Sequence, residues 1–372
     1  MVTVPILVTG AFGQVGRRCV ANLLARGHKV VASDLRTEAA LSVVRTLADQ
    51  HTPGTLLPAY ADLLDPAAIG SLVARHQPRA IVHLAAMLSP VSYRNPELAR
   101  RINVGGTRTL VRAAQGLAAP PLFVYASSAG VYGSRNPYRH PERLSAQTAV
   151  DPVDQYGEDK MLAERIIVNS VLPHVILRLG GVISPDGAGA LNRDYLLLMR
   201  ATPGDNRLHT VDARDAALAF ANAAERPDSV DGKILLIGGD DSHLNLHRDV
   251  EDDMLQAIGL GRLGPQASLP GDPDDDRGWS FTGWLDTTES QALLDYQHHS
   301  WARTVDWVAS SQPRAVRVIA GALGPLARPV VRTALTLQRR AEHRGPYADP
   351  WTLISAKLGP GVLASNVDPA PT

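Results

Sequence analysis

Four residues that read as a buried strand, Ile6-Leu7-Val8-Thr9, run directly into Gly10-Ala11-Phe12-Gly13-Gln14-Val15-Gly16, where a helical pattern begins. Few short segments constrain a fold as tightly. The first glycine permits the turn out of the strand, the second removes a Cβ that would block a ligand, and the third lets the helix pack close to the sheet. N–H groups left free at the helix start, at the positive end of its dipole, suit a pyrophosphate. The segment predicts a dinucleotide site lined by Gly10, Phe12, Gly13, Gln14, Val15 and Gly16.

The rest of the first 240 residues carries the same alternation. Short Val/Ile/Leu-rich runs, as expected of strands buried on both faces, occur at Ile6–Thr9, Lys29–Ser33, Leu56–Ala61, Ala80–Leu84, Leu122–Ser127, His174–Leu179 and Ile234–Ile237. Helical spacing fills the intervals at Val15–Ala25, Glu38–Ala48, Glu97–Gln115, Tyr156–Val171 and Ala213–Ala224. Strict alternation predicts an α/β fold with a doubly wound parallel sheet of the Rossmann type. The expected organisation is a dinucleotide-binding domain at 1–240, to whose substrate side 181–208 contributes. A smaller substrate-binding region at 241–312 and a basic helical C-terminal tail at 313–372 follow.

Asp34 ends the second apolar run, 24 positions after Gly10, close to the spacing expected of a carboxylate that holds ribose hydroxyls. An acid there repels a 2′-phosphate and favours NAD, whereas Arg36 nearby would accept NADP. Asp62, with Leu63 beside it, follows the third strand. It reads either as a contact to the adenine edge or as a helix cap in Ala61-Asp62-Leu63-Leu64-Asp65-Pro66.

Tyr156 and Lys160, at i and i+4, share one helix face. A neighbouring ammonium favours the phenolate, so the pair is expected to give a tyrosine able to exchange a proton with an alcohol or carbonyl. Ser128 closes the strand Leu122–Ser127, and strand ends at the carboxyl edge of such a sheet face the ligand crevice. Its hydroxyl would polarise a substrate oxygen.

Formal net charge is zero, which gives nucleic-acid binding no electrostatic support. The single cysteine, Cys19, excludes an intrachain disulfide and a cysteine-based zinc site, and no metal is expected. The N-terminus lacks the pattern of a signal peptide, and no apolar run reaches the roughly 18 residues of a membrane span, so the expectation is a cytoplasmic protein. The acidic run Asp272–Asp276 reads as a solvated loop. From Pro313 to Thr372 eight Lys/Arg face three Asp/Glu. Val316–Leu337 is apolar with arginines at 317, 328 and 332, and Pro325 and Pro329 are expected to break it into pieces. The tail reads as docked on its own domain or on a sister subunit in a homodimer. The sharper alternative is a peripheral contact with an anionic membrane surface. The end, 364–372, is expected to fray.

Taken in order, the motifs resemble those of the extended short-chain dehydrogenase/reductases, the NAD-dependent epimerase/dehydratase family. The matching pieces are the glycine segment, His83-Leu84-Ala85-Ala86, Asn103-Val104-Gly105-Gly106-Thr107, Ser127-Ser128-Ala129-Gly130-Val131-Tyr132-Gly133, Tyr156-Gly157-Glu158-Asp159-Lys160, Arg178–Pro185, His209–Ala217 and Trp284–Thr288. The resemblance covers about residues 3–310. It implies that Ser128, Tyr156 and Lys160 are catalytic and that Asn103 supports the lysine through a water. It also implies that Leu84, Ala85 and Ala86 line the cofactor channel and that Tyr156 and Lys160 reach the cofactor. Two departures narrow the reaction. Ala129 and Gly130 replace the acid pair of the family's sugar dehydratases, so elimination of water lacks its acid and base. Leu179-Gly180-Gly181 replaces the asparagine usual in sugar-nucleotide enzymes. The expectation is hydride transfer on a small-molecule secondary alcohol or ketone, with a nucleotide-sugar 4-epimerase and a non-catalytic dinucleotide sensor or scaffold as the alternatives.

Overall fold

The computed structural model describes residues 4–188, 192–280 and 283–365. Its centre is a seven-stranded parallel sheet. The strands, in chain order, are β1 (Ile6–Thr9), β2 (Lys29–Asp34), β3 (Thr55–Tyr60), β4 (Ala80–His83), β5 (Leu122–Ser128), β6 (His174–Leu179), β7 (Gly181–Ile183), β8 (Arg207–Asp212), β9 (Lys233–Ile237) and β10 (Leu244–Leu246). Across the large sheet the order is β3-β2-β1-β4-β5-β6-β9. The winding therefore reverses between β1 and β4, where β1 pairs with both β2 and β4. Open α/β sheets bind ligands at such a switch point, outside the carboxyl ends of the strands. Thr9, Asp34, His83, Ser128 and Leu179 all end strands on that edge.

Alternation of side chains builds the two core layers. Ile6, Val8, Val30, Ala32, Val82, Val124 and Leu177 face one side and pack with Cys19, Val20 and Leu23 of helix Gly16–Ala25 and Phe220 of helix Ala213–Glu225. Leu7, Val31, Ile81, Phe123 and Ile176 face the other, against Leu72, Leu110 and Ala163 from helices Pro66–His76, Thr107–Gln115 and Gln155–Val168. Every strand read from the sequence is present within a residue or two. The segment read as one helix over Glu97–Gln115 is three in succession. An α-turn at Pro96–Arg100 leads into a π-helical stretch at Arg101–Gly106 and then an α-helix at Thr107–Gln115. The wide π-turn carries Asn103 inward, where it is almost wholly buried.

A second, three-stranded sheet, β10-β8-β7, stands over the carboxyl edge. It draws β7 and β8 from inside the first 240 residues and β10 from beyond them, so the substrate side is interleaved with the dinucleotide-binding part.

The tail departs from the sequence expectation. Arg314–Ala341 is one helix, with Pro325 and Pro329 inside it. An interior proline costs a helix about 3 kcal/mol, and contacts with residues 259–267 oppose that cost here. A Cβ on Gly324 would come within 2.9 Å of the Leu260 carbonyl oxygen. Arg332 Nε donates to Leu263 O at 2.6 Å, and Arg339 donates to Gln266 O at 3.2 Å and to Ala267 O. Arginines that a lipid-facing helix would turn outward thus lie on protein carbonyls, while Val330 and Leu337 are 68% and 59% exposed. Beyond it, helix Pro350–Leu358 starts with Asp349 capping Thr352 N at 3.1 Å. It returns the chain to the large sheet. Ala364 N donates to Val153 O at 3.0 Å and Ser365 Oγ to Glu158 at 3.0 Å, so the expected fraying does not reach these two residues. Residues 366–372 lie outside the described residues.

Candidate active site

The glycine turn is built as its spacing requires. Gly10 has φ +64°, and a Cβ there would stand 2.6 Å from Ala85 N. A Cβ on Gly16 would be 2.0 Å from Gly10 O. A Cβ on Gly13, in contrast, would meet only Gly10 O, at 3.4 Å, so this glycine opens to the crevice instead of to packing. Among the described residues, the N–H groups of Gln14 and Val15 find no protein acceptor. An open glycine flanked by unpaired donors fits a dinucleotide pyrophosphate.

Asp34 supports the turn as well as ending β2. Its Oδ2 accepts from Phe12 N at 3.1 Å and its Oδ1 from Leu35 N at 2.8 Å. Arg36 lies over the Tyr60 ring, 5.9 Å from its centroid. Asp62 is no helix cap. It accepts from Leu64 N at 2.9 Å, and the cap of Pro66–His76 is Asp65. Leu63 packs beneath Gly106, whose added Cβ would lie 2.9 Å from the Leu63 Cβ. Leu84 N donates to Thr9 O at 3.2 Å and Ala85 N to Thr9 Oγ1 at 3.5 Å, which holds 84–86 along the glycine turn.

Ser128, Tyr156 and Lys160 come together at the end of β5. The Ser128 hydroxyl accepts from Gly130 N at 3.0 Å, and its hydrogen bond to Tyr156 favours the phenolate. That effect is overridden. Burial, with the charge of Asp154 next in size, pushes the Tyr156 phenol well above its usual value. Lys160 Nζ donates to Ala126 O at 2.7 Å and lies over the Tyr125 and Tyr156 rings, 4.9 and 5.7 Å from their centroids. Burial brings this lysine down to about 8. Desolvation of the phenolate outweighs an ammonium that faces the ring.

The depressed lysine carries a prediction. An unfolded lysine keeps its proton to about 10.5, whereas the native one releases it near 8. Unfolding therefore takes up a proton in that window, and stability from this residue rises as pH rises through it. Denaturant titrations from about pH 7.5 to about pH 10 are expected to show the wild type gaining stability relative to Lys160→Met. A pH-independent difference contradicts the assignment.

The Asn103 side chain bonds the backbone of the segment after β4 and Asp159. Its Oδ1 accepts from Met87 N at 2.8 Å, and its Nδ2 donates to Met87 O at 3.1 Å and Asp159 Oδ2 at 3.4 Å. It ties the segment after β4 to helix Gln155–Val168. Behind it runs Thr9 Oγ1 to His83 Nδ1 at 2.7 Å, then His83 Nε2 to Thr107 Oγ1 at 3.0 Å. Burial lowers His83 to about 3, so this relay is neutral.

Three supports were missed in the sequence. Glu164 and Arg178 form a buried double hydrogen bond, at 2.7 and 3.0 Å, and Glu164 Oε1 also accepts from Ser127 Oγ at 2.5 Å, one residue from Ser128. Asp154 caps helix Gln155–Val168 at Gly157 N, 3.0 Å, and accepts from the Tyr93 hydroxyl. From the tail, Trp351, Ile354 and Val362 join Tyr93, Tyr156 and Ala201 in one buried apolar cluster. The Asp349-Pro350 start signal was legible. Its docking on a residue two hundred positions earlier was not.

Next to Ser128 lies a cavity of about 70 Å³ whose walls include Gly130, Leu144, Leu179, Gly181, Leu208, His209 and Leu285. His209 accepts from Leu285 N at 3.0 Å through Nδ1, which leaves the proton on Nε2, 2.9 Å from Gly239 O. Burial holds it near 4, so it is a neutral wall and not an acid or base.

Glycine turn, strand-end carboxylate and switch-point crevice together define a Rossmann dinucleotide-binding protein. The chain belongs to the NAD dependent epimerase/dehydratase family, whose sequence profile matches residues 6–238. UDP-glucose 4-epimerase of Erwinia amylovora is 29% identical over 195 residues, 51% of this chain and 56% of that protein. UDP-arabinose 4-epimerase 1 of Arabidopsis thaliana is 29% identical over 191 residues, 50% of this chain and 45% of that protein. The chain thus spans about half the length of the curated relatives it matches. In fold it resembles the Thermus thermophilus UDP-glucose 4-epimerase solved with NAD (TM-score 0.65, 22% identity, 82% of this chain and 98% of that one). It also resembles the Campylobacter jejuni UDP-Glc/GlcNAc 4-epimerase (TM-score 0.65, 18% identity, 82% and 97%). NAD is the cofactor of the family, and the residues present fit it. Among the described residues no helix is long and apolar enough to cross a membrane.

Proposed function

We propose that this protein is an NAD-dependent enzyme that moves a hydride to or from the carbon of a secondary alcohol or ketone, with Tyr156 as the acid–base group. The observation that carries this reading is the convergence of Ser128, Tyr156 and Lys160 at the carboxyl edge beside the glycine turn. Bound NAD supplies a hydride acceptor or donor at its nicotinamide. Gln14 and Val15 N–H would hold its phosphates, and Asp34 would hold its adenosine ribose. Ser128 donates to the substrate oxygen and Tyr156 takes or gives that oxygen's proton. Lys160, fixed on Ala126 O, supports the phenolate while it exists. Burial raises the Tyr156 phenol, so positive charge beside it, such as that of Lys160, would favour the phenolate.

A second reading has support in the relatives, which are named as UDP-sugar 4-epimerases. There the hydride returns to the same carbon from the other face. The small cavity by Ser128, lined by four leucines and four glycines together with Arg207 and His209, instead favours a compact substrate. Mixing the purified protein with candidate alcohols and NAD separates the two. Accumulation of NADH supports net oxidation, and inversion without NADH supports epimerisation. Neither occurring with a broad panel of both substrate classes contradicts the proposal.

Asp34 gives the cofactor test. Asp34→Ala removes a charged acceptor from both the ribose and Phe12 N. It is expected to weaken NAD about tenfold or more, and NADP less. Titration calorimetry with both dinucleotides decides, and tighter NADP binding by the wild type contradicts the NAD assignment.

A further inference from the structure

The crevice above the glycine turn is spanned by side chains. Gln14 lies inside the turn, and its Oε1 accepts from Ser184 Oγ at 2.8 Å, just beyond β7. Arg18, in the first turn of the following helix, donates through Nη1 to Gln14 O at 2.5 Å and to Asp186 Oδ2 at 2.8 Å. Arg17 pairs with the same Asp186 carboxylate. Burial pushes Asp186 upward, but the bonds from Arg18 and Arg17 outweigh it and hold the carboxyl below its ordinary range. The far side is braced too. The Arg18 guanidinium is 4.8 Å from the Trp307 ring centroid and that of Arg214 is 4.0 Å from it. Arg214 is fixed by Asp212, at 2.7 and 2.9 Å, and Asp212 accepts from Thr304 at 2.8 Å. Gln14, Arg17 and Arg18 belong to the dinucleotide-binding element, and Ser184 and Asp186 to the segment that follows the second sheet's first strand.

We propose that these five residues form a latch across the dinucleotide crevice, which must open before a bound cofactor can leave. The inference rests on reading the glycine turn as the NAD site. The neutral Gln14–Ser184 bond is made by the residue whose own N–H would hold the pyrophosphate. The Asp186–Arg pairs stand behind it and set how often it opens. A closed latch holds the dinucleotide until it opens, so its opening sets how fast a cofactor leaves. Arg17, Arg18, Ser184 and Asp186 are positioning residues and touch no reacting atom.

Release of NADH from the full-length protein, chased with excess NAD and followed by nucleotide fluorescence, tests this. Asp186→Asn removes both ion pairs without changing the side chain's shape and is expected to speed release about tenfold, given the modest worth of partly exposed pairs. Ser184→Ala is expected to act in the same direction by a smaller factor. Salt weakens exposed pairs, so wild-type release accelerates at high ionic strength and Asp186→Asn release responds less. A merely structural pair would lower the thermal midpoint of Asp186→Asn and leave its release rate and salt response unchanged, and that result overturns the latch. Failure of the wild type to bind NADH would overturn the NAD site itself, a result distinguishable from tight binding with unaltered release.

Discussion

Replacing Tyr156 by phenylalanine is expected to reduce turnover by about a thousandfold while NAD affinity stays within a few-fold. The ring, which packs with Tyr93, Ile354 and Val362, is retained. Only the hydroxyl that exchanges the substrate proton is lost, together with its bond to Ser128. The phenol is buried and not poised at neutral pH, so no nearby group replaces it: Asp154, the nearest acid among its influences, is committed to Tyr93 and the helix cap. Steady-state rates with an identified substrate, alongside calorimetric NAD titration, measure both halves of the prediction. Retained turnover removes Tyr156 from the mechanism. Equal loss of NAD binding recasts it as a cofactor contact.

The largest stability effect is expected at Glu164. Its side chain and that of Arg178 are 7% and 4% exposed. Glu164→Ala leaves a guanidinium buried without its counter-charge, a change that costs about 3–5 kcal/mol. Replacing both partners with apolar residues of similar volume is expected to cost much less than the sum of the single changes, because a buried pair repays its own desolvation poorly. Urea unfolding of the two single variants and the double variant closes the cycle. Glu164 also receives the Ser127 hydroxyl, so Glu164→Ala should impair catalysis beyond its effect on the folded fraction, by loosening the strand end that presents Ser128. Additive costs in the cycle contradict the pairing.

The order of strands and helices was legible because both signals are local: period-two and period-3.6 apolar spacing, punctuated by glycine and acidic caps. The glycine turn was legible for the same reason, since Gly10 and Gly16 are demanded by clashes within a few residues of themselves. What was not legible depends on contacts distant in sequence. The tail helix runs through Pro325 and Pro329 because residues near 260 hold it, and no local rule reports that. Asp62 was no such case: Asp65, directly before Pro66, carries the local start signal and is the cap. Lys160 and Tyr156 were correctly read as neighbours. Their electrostatics were not, because spacing gives proximity and says nothing of how far burial raises a phenol. Asn103 was found by resemblance, but its partner is the Met87 backbone, reached through a π-turn that the helical pattern conceals.

The proposed chemistry requires the nicotinamide ring to lie beside the Tyr156 hydroxyl. A crystal structure of the protein soaked with NAD measures this directly. The prediction is a dinucleotide with its pyrophosphate on Gln14 and Val15 N–H and its reactive carbon facing a space shared by Tyr156 and Ser128, within the roughly 3–3.5 Å reach of a reacting substrate atom. A dinucleotide whose nicotinamide points out of the crevice, or an empty glycine turn at saturating NAD, contradicts it.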